Sequence, residues 1–144
     1  MNHSLHHLLM TNHLLFQKTL FANLKDTGLT LGQPKILEYL LYHDGAVQKE
    51  IAEACRIEPA TMTSVLLGME KKGLILRQKR DGNRRSLYVY LTDQGKAVAQ
   101  TVAAQFAHIE EAALCDFSPS EKEALITFLT KINENMKRVY NEQN

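Results

Sequence analysis

The stretch PATMTSVLLGMEKKGLILRQKRDGNRRSLYVYLTDQG, residues 59–95, changes its pattern of apolar residues at Gly73. Before that glycine the apolar residues recur at helical spacing, at Met62, Val65, Leu66 and Met69. This spacing predicts a helix that begins at Pro59, a favourable first-turn residue, and ends at the glycine. After the glycine, residues 74–79 and 86–92 have the two-residue period of β-strands, and the Arg-Asp-Gly-Asn sequence between them is typical of a hairpin turn. The stretch therefore predicts a helix followed directly by a β-hairpin.

The predicted hairpin and the end of the helix carry many of the cations of the chain. Between Lys71 and Arg85 the sequence has seven Lys or Arg residues and one acid, a net charge of +6. The whole chain carries only +1, so the remaining residues carry −5. A solvated surface turn is one interpretation of such a cluster. A basic cluster in an otherwise acidic chain is more typical of contact with nucleic acid.

Helical patterns lie on both sides of this stretch. Apolar spacing and capping residues predict five further helices, at residues 5–26, 30–42, 47–55, 93–114 and 119–141. Thr30 and Gln33 match a capping box at the second helix, and Ser118 and Glu121 match another at the last. The predicted order is four helices, a β-hairpin and two helices, so the fold class is mainly α with a small β-hairpin wing.

Length and composition suit a single domain over residues 1–144. An apolar content of 44% and a charged content of 23% are ordinary for a globular protein. The sequence has neither the run of about 20 apolar residues that spans a bilayer nor a signal-peptide pattern. Its two cysteines, Cys55 and Cys115, lack metal-type spacing, which is typical of a reducing compartment. We therefore expect a cytoplasmic protein with no membrane partner.

Two short helices separated by a break of three or four residues, followed by a basic hairpin, describe a winged helix-turn-helix. The major groove of DNA admits one helix, and a basic hairpin beside it can lie on phosphates or put an arginine into the minor groove. The winged lobe covers about residues 30–92 and is too small to bury the apolar stripes of the flanking helices, at about 5–26 and 93–141. We therefore predict a homodimer that binds two half-sites of double-stranded DNA.

Three groups of residues are candidates for DNA contact. The second helix of the motif should present small residues without acids, at Pro59, Ala60, Thr61, Thr63, Ser64 and Gly68. The wing should contribute polar and basic residues, at Lys79, Arg80, Asn83, Arg84 and Arg85. Residues at two helix starts, Gln33, Gln48 and Lys49, are candidates for phosphate contacts because helix N-termini favour anions. The second helix lacks Arg, Asn and Gln at its tip, so DNA shape and the wing should contribute to discrimination.

The segments IAEACRIEPATMTSVLLGMEKKGLILR and DGNRRSLYVYLTDQG resemble the multiple antibiotic resistance regulator (MarR) family of bacterial transcription regulators. The resemblance implies a homodimer in which the terminal helices of both chains intertwine and a winged lobe projects on each side. It also implies that Arg85 is the wing-tip arginine of the minor groove, with Arg84 beside it, and that Thr63 and Ser64 contact DNA from the recognition helix.

Two positions depart from the pattern of the family. Asn83 stands where an Asp usually precedes the paired arginines, so an ion pair that orients the wing is absent or is made by Asp81. Glu58 stands where Ser or a similar residue usually caps the recognition helix, and Glu is a poorer cap. Both departures affect the pose on DNA rather than the prediction that DNA is bound.

A ligand-responsive repressor on a pseudo-palindromic operator is the function that these features favour. We expect a pocket for a small-molecule effector of unspecified identity between the flanking helices and the winged lobe. Its predicted lining is aromatic or imidazole: Phe16, Tyr39, Tyr42, His43 and Phe106. A ligand that binds one spacing of the two lobes better than another would shift the population and change DNA affinity.

Two alternatives to this function stay open. A winged-helix module that binds protein would show no salt-dependent DNA affinity and would expose apolar residues near the wing. A metal- or redox-sensing regulator would use Cys55, Cys115 or the histidines, but the spacing of His3, His7 and His13 completes no ligand set. The sequence contains no catalytic motif of the common hydrolase, P-loop or dinucleotide types, so we expect no enzyme, no cofactor and no metal.

Overall fold

The fold is mainly α-helical with a small antiparallel sheet. The structure is a computed structural model that describes residues 3–80 and 82–144. Its elements in chain order are α1 (Leu5–Asn23), α2 (Gln33–Tyr42), β1 (Ala46–Val47), α3 (Gln48–Cys55), α4 (Pro59–Lys71), β2 (Ile75–Arg80), β3 (Asn83–Leu91), α5 (Asp93–Ala113) and α6 (Pro119–Gln143). One 3-10 turn, Lys25–Thr27, follows α1. The predicted fold class is confirmed. The chain divides into two compact units, one that ends at Ile109 and one of Glu110–Asn144.

The sheet has three strands in the order β1-β3-β2, all antiparallel. The sequence predicted β2 and β3 but not β1, whose two residues, Ala46 and Val47, pair with Val89 and Tyr88. Two residues are too few to show an alternating pattern, and the pairing depends on contacts far along the chain. The Gly45 amide donates to the Val89 carbonyl at 2.8 Å and completes the connection between α2 and the sheet.

The core of the first unit lies where its helices and the sheet meet. Its largest completely buried side chains come from most of these elements: Leu24, Ile36, Leu37, Leu40, Ile51, Met62, Leu66, Met69, Ile75, Val89 and Val102. The apolar stripe predicted for α4 is confirmed at three of its four positions, and the fourth, Val65, is half-buried. Burial of each such side chain contributes about 2 kcal/mol, so this stripe fixes which face of α4 remains in solvent.

The start of α2 differs from the prediction. The helix begins at Gln33, with Gly32 in a left-handed conformation as its N-cap, so Thr30 does not cap it. The side chain of Gln33 nevertheless makes half of the expected capping box, because its Oε1 accepts from the Thr30 amide at 3.0 Å. Pro34 falls in the first turn, where the helix needs no amide donor.

The junction between the wing and α5 is held by Thr92 and Gly95. Thr92 caps α5, because its Oγ1 accepts from the Gly95 amide at 2.9 Å and also donates to the Gly73 carbonyl at 2.6 Å. Gly95 packs directly on the backbone of Leu74, so closely that a Cβ atom there would lie 1.9 Å from the Leu74 carbonyl oxygen. Only glycine permits this approach of helix to strand.

The second unit contains the long helix α6. The predicted capping box is confirmed: Ser118 Oγ accepts from the Glu121 amide at 3.1 Å, and Glu121 Oε1 accepts from the Ser118 amide at 2.8 Å. None of the residues of α6, all of which the structure describes, is buried. Its large apolar side chains are exposed at Ile126, Phe128, Leu129, Met136, Val139 and Tyr140. A search of the described residues finds no helix with the length and apolar character to cross a bilayer.

Candidate nucleic-acid interface

The helices α3 and α4 form the helix-turn-helix. Arg56 ends α3 in a left-handed conformation, with φ of 55°, and the Ile57 amide donates to the Ala52 carbonyl at 3.0 Å. Buried residues of both helices, among them Ile51 and Met62, pack into the common core. The tight turn and this packing fix the direction in which α4 leaves α3.

The solvent face of α4 matches most of the predicted recognition surface. Its exposed residues are small and lack acids, as predicted for Pro59, Ala60, Thr61, Thr63 and Ser64. Leu67 is also exposed, at 41%, and the sequence prediction missed it. The helical period supplies a signal for it, because Leu67 lies three residues after Ser64 and outside the buried stripe. The face of α4 thus contains both hydroxyl groups and one apolar side chain.

The structure contradicts the placement of Gly68 on this face. Gly68 is half-buried, and a Cβ atom there would lie 3.2 Å from Nε2 of Gln33. The glycine therefore lets α4 pack against the start of α2 rather than against DNA.

The start of α4 has no side-chain cap. Glu58 has an extended backbone conformation, and its side chain makes no capping hydrogen bond. This agrees with the expectation that Glu58 is a poorer N-cap than the serine or similar residue usual at this position.

Of the three predicted phosphate contacts, Lys49 is exposed and Gln33 is not. Gln33 is 3% exposed, and its Oε1 accepts from Lys72 Nζ at 2.8 Å, so the structure contradicts a phosphate-binding role for it. Gln48 is half-buried, and its Nε2 lies 3.5 Å from Thr63 Oγ1. Gln48 Oε1 is buried and has no hydrogen-bond partner among the described residues. Gln48 therefore orients Thr63 on the solvent face of α4.

Several cations of the basic segment are committed to contacts within the chain. Arg77 pairs with Glu70 at 3.1 Å, and this guanidinium lowers the pKa of the Glu70 carboxyl group. Lys72 Nζ donates to the Gly28 carbonyl at 2.6 Å, and the Arg80 guanidinium lies on the ring of Tyr88. The net charge of +6 therefore overstates the number of cations that face solvent without such a contact.

Exposure does not separate these cations from the rest of the segment. Lys71 and Lys79 are exposed, and so are Lys72, Arg80 and Arg85. The side chains of Asn83 and Arg84, which the sequence analysis also assigned to the wing, lie outside the part that the structure describes, as does Asp81.

A cleft of about 500 Å³ lies between α3, the start of α4 and β3. Four of the predicted DNA contacts border it: Gln48, Lys49, Pro59 and Arg85. The fold thus brings the start of the recognition helix, the start of α3 and the wing to one side of the lobe.

A second cavity of about 500 Å³ lies between α1, α4 and α5, and two residues of the predicted effector pocket line it. The rings of Phe16 and Phe106 stack there with centroids 5.8 Å apart. Val65 and Thr61 of α4 also border this cavity. It therefore touches the helix that presents the candidate DNA-binding face.

The other three predicted pocket residues do not line this cavity. Tyr39 and His43 stack on each other with ring centroids 4.3 Å apart, and Tyr42 is 72% exposed. Tyr39 Oη donates to Glu50 Oε2 at 2.8 Å, and this bond raises the pKa of Tyr39 to about 12. The prediction grouped these residues by aromatic character, but α2 directs them towards α3 and solvent instead.

The cysteines show little sign of a sensing site. Cys55 is 7% exposed, and burial raises the pKa of its thiol to about 11, so the protonated form predominates at neutral pH. Cys115 is exposed. Among the described residues, no group of three His, Cys, Asp or Glu side chains has the geometry to hold a metal ion.

Comparison with known proteins assigns the chain to a family. Residues 29–87, which contain α2 to α4 and most of the sheet, match the model of the MarR family. The uncharacterized HTH-type transcriptional regulator YybA of Bacillus subtilis (strain 168) is 27% identical over 114 residues, which are 79% of this chain and 76% of YybA.

Solved structures agree with this assignment. The crystal structure of an S. aureus MepR–DNA complex is 27% identical, with a TM-score of 0.80 over 90% of this chain and 94% of that chain. The crystal structure of the transcriptional regulator SlyA has a TM-score of 0.86 over 97% of this chain and 98% of that chain. Its identity is 24%, so that likeness shows the fold alone. The chain belongs to the MarR family and is a winged helix-turn-helix transcriptional regulator.

Proposed function

We propose that the protein is a homodimeric, ligand-responsive repressor of the cytoplasm that binds a pseudo-palindromic operator and has no enzymatic activity. The cleft that Lys49, Pro59 and Arg85 share carries this proposal. It puts the start of a recognition helix and a wing cation on one side of the lobe, as simultaneous contact with adjacent grooves requires. The crystal structure of MepR in complex with DNA supports DNA binding by this chain.

In this proposal α4 lies in the major groove. Ala60, Thr63 and Ser64 are small enough for close approach, and the two hydroxyl groups can donate to or accept from base edges. Leu67 is suited to apolar contact with thymine methyl groups. Arg85 enters the minor groove, and Lys49 and Lys79 contact phosphates.

A second copy of the chain covers the apolar faces of the terminal helices. On α1 the exposed large side chains are Leu5, Leu8, Leu9, Met10, Leu14 and Leu15, and α6 exposes six more. Isolated soluble chains rarely expose such continuous apolar stripes. We therefore assign α1, α5 and α6 to dimerisation and about residues 30–92 to the winged lobe, within one MarR-like domain.

The effector binds the cavity between α1, α4 and α5. Phe16, Val65 and Phe106 supply apolar walls. Lys35, Arg56 and Glu58 supply a net charge of +1, so the cavity suits an amphipathic ligand with an anionic group. Because Thr61 and Val65 belong to α4, a ligand there contacts the recognition helix directly. A ligand that favours one position of α4 changes DNA affinity by its differential binding to the two states.

Selection of bound fragments from the DNA of the host tests the proposal. The expected result is enrichment of sites with two-fold symmetry, whose affinity falls steeply as salt concentration rises. Fluorescence anisotropy on an enriched duplex then gives the salt slope. Binding to no duplex at low ionic strength would refute the proposal.

One observation favours testing the protein-binding alternative in parallel. Leu67 on α4 and Leu76 on β2 are 41% and 56% exposed, and a docking module would use such side chains. If no duplex binds in a salt-dependent way, and Leu67→Ser and Leu76→Ser abolish capture of a protein from the host, that alternative replaces the proposal.

A further inference from the structure

Three residues of the wing form a cluster that we call the wing brace: Arg80, Tyr88 and Tyr90. Cζ of Arg80 lies 4.0 Å from the centroid of the Tyr88 ring and 5.6 Å from that of Tyr90. Nε of Arg80 donates to Tyr90 Oη at 2.8 Å, and Nη2 donates to the same oxygen. The guanidinium thus stacks on one tyrosine ring and donates two hydrogen bonds to the hydroxyl group of another. These contacts hold it in one position.

The connection between α2 and β1 packs against the wing brace. Gly45 lies so close that a Cβ atom there would be 2.8 Å from Cε1 of Tyr90 and 3.1 Å from Nη2 of Arg80. Its φ of +83° is also in the region that favours glycine. The Asp44 carboxylate accepts from the Leu91 amide at 2.8 Å and fixes this connection to β3. The brace thus joins the outer part of the wing to its base.

The wing brace spans an irregular part of the hairpin. Gln78 pairs with Tyr88, but Arg80 pairs with Asn83, so Lys79 alone stands opposite residues 84–87 of β3. Such extra residues in one strand break the ladder and redirect side chains. Arg85 lies within this segment. Arg80 contacts both ends of it, because its backbone pairs with Asn83 and its side chain lies on the Tyr88 ring.

We propose that Arg80 is a positioning residue, which acts on DNA through Arg85 rather than by contact with a phosphate. The proposal rests on the proposed function. The stacked guanidinium holds Tyr88 and position 83 at a fixed separation, and this sets the direction of the irregular segment that presents Arg85. Lys79 and Arg80 are both exposed, but in the proposed function Lys79 contacts phosphate directly.

Charge-preserving variants separate positioning from phosphate contact. Arg80→Lys keeps the cation but loses the planar fork, and Tyr90→Phe removes the acceptor without a change of charge. Both variants should weaken binding of the selected duplex by about three- to tenfold with an unchanged salt slope. Lys79→Ala is the matched control, and it should lower the slope by about one for each lost contact. Wild-type affinity in Arg80→Lys, or a reduced slope, overturns the proposal.

A double-mutant cycle with Arg85 tests the route of the effect. If the brace acts through Arg85, Arg80→Lys should weaken binding by less than about twofold in an Arg85→Ala background. Additive losses overturn the proposal, because they mean that the two arginines act independently. Urea unfolding of each variant keeps a general loss of stability apart from a loss of positioning.

NMR of the free protein tests the contact without DNA. The Nε–H resonance of Arg80 should show a ring-current shift and slow exchange with solvent, and Tyr88→Leu should remove both. Absence of the shift in the wild type overturns the proposal. If the shift is present but no duplex binds, the proposed function fails while the contact is established.

Discussion

The recognition helix and the wing were inferred from the same short stretch, yet the structure agrees with the two inferences to different degrees. In α4 three of the four residues of the predicted buried stripe are buried, and only Gly68 of the predicted exposed residues faces inwards. In the wing, Arg77 and Arg80 are engaged by Glu70 and by two tyrosines. Helical periodicity determines which face of a helix is buried, whereas the partner of a long cation depends on residues far along the chain.

Charge composition locates a nucleic-acid interface but does not identify its contacts. The segment from residue 71 to 85 has a net charge of +6, yet Lys72, Arg77 and Arg80 contact other groups of the chain. Arg85 is exposed beside the cleft that borders the start of α4. Experiments on the wing should therefore compare cations with one another rather than remove charge in general.

The largest effect is expected at the junction that joins the two regions. Gly95→Ala would place a Cβ atom 1.9 Å from the carbonyl oxygen of Leu74, at the connection between α4 and β2. Because backbone must move to relieve this overlap, we expect the free energy of unfolding to fall by about 3 kcal/mol in urea titrations.

Gly28→Ala is the matched control for this substitution. Gly28 has φ of +72° but no atom within 4 Å of an added Cβ, so only the conformational cost of about 1 kcal/mol applies. Equal losses in the two variants would show that α5 does not depend on close contact with Leu74.

The next largest effect separates two arginines of the wing. Arg85→Ala should weaken binding of the selected duplex by about tenfold and lower the salt slope by about one for each lost contact. Arg77→Met removes the same charge, but Arg77 is paired with Glu70 at 3.1 Å, so its slope should stay at the wild-type value. Anisotropy titrations over a range of salt concentrations measure both slopes. Equal reductions would mean that net charge, and not position, governs wing binding.

A smaller effect distinguishes two hydroxyl groups of α4. Ser64→Ala should change the preference among operator variants by about fivefold, because Ser64 lies on the exposed face proposed to contact bases. Thr61→Ala is the control, since Thr61 borders the cavity shared with α1. Competition titrations with single-base operator variants measure the preference. A uniform loss of affinity for all duplexes in Ser64→Ala would contradict a base-reading role.

Local signals in the sequence account for most of the fold. The capping box of α6, the helix-ending Gly73 and the change of period each act within a few residues, and they predict the helices and the hairpin. The box predicted at Thr30 is wrong, because Gly32 caps α2. The short strand β1 and the contact of Gly95 with Leu74 depend on distant parts of the chain. For the same reason only two of the five residues predicted for an effector pocket line the cavity: Phe16 and Phe106 meet across two helices, while Tyr39 turns to Glu50.

The smallest effect concerns the ion pair that ties α4 to the wing. Arg77 lowers the pKa of Glu70, so this pair stabilises the folded state above the ordinary carboxyl pKa, and the contribution is lost as pH falls through the lowered value. The Glu70 side chain is 35% exposed, so solvent screening limits the contribution to a few tenths of a kcal/mol. Urea titrations at neutral and acidic pH should show a slightly weaker pH dependence of stability for Glu70→Gln than for the wild type. Glu134→Gln, in a pair within α6, serves as the control. An unchanged pH dependence in Glu70→Gln would mean that buried core residues alone, and not this pair, hold α4 against the wing.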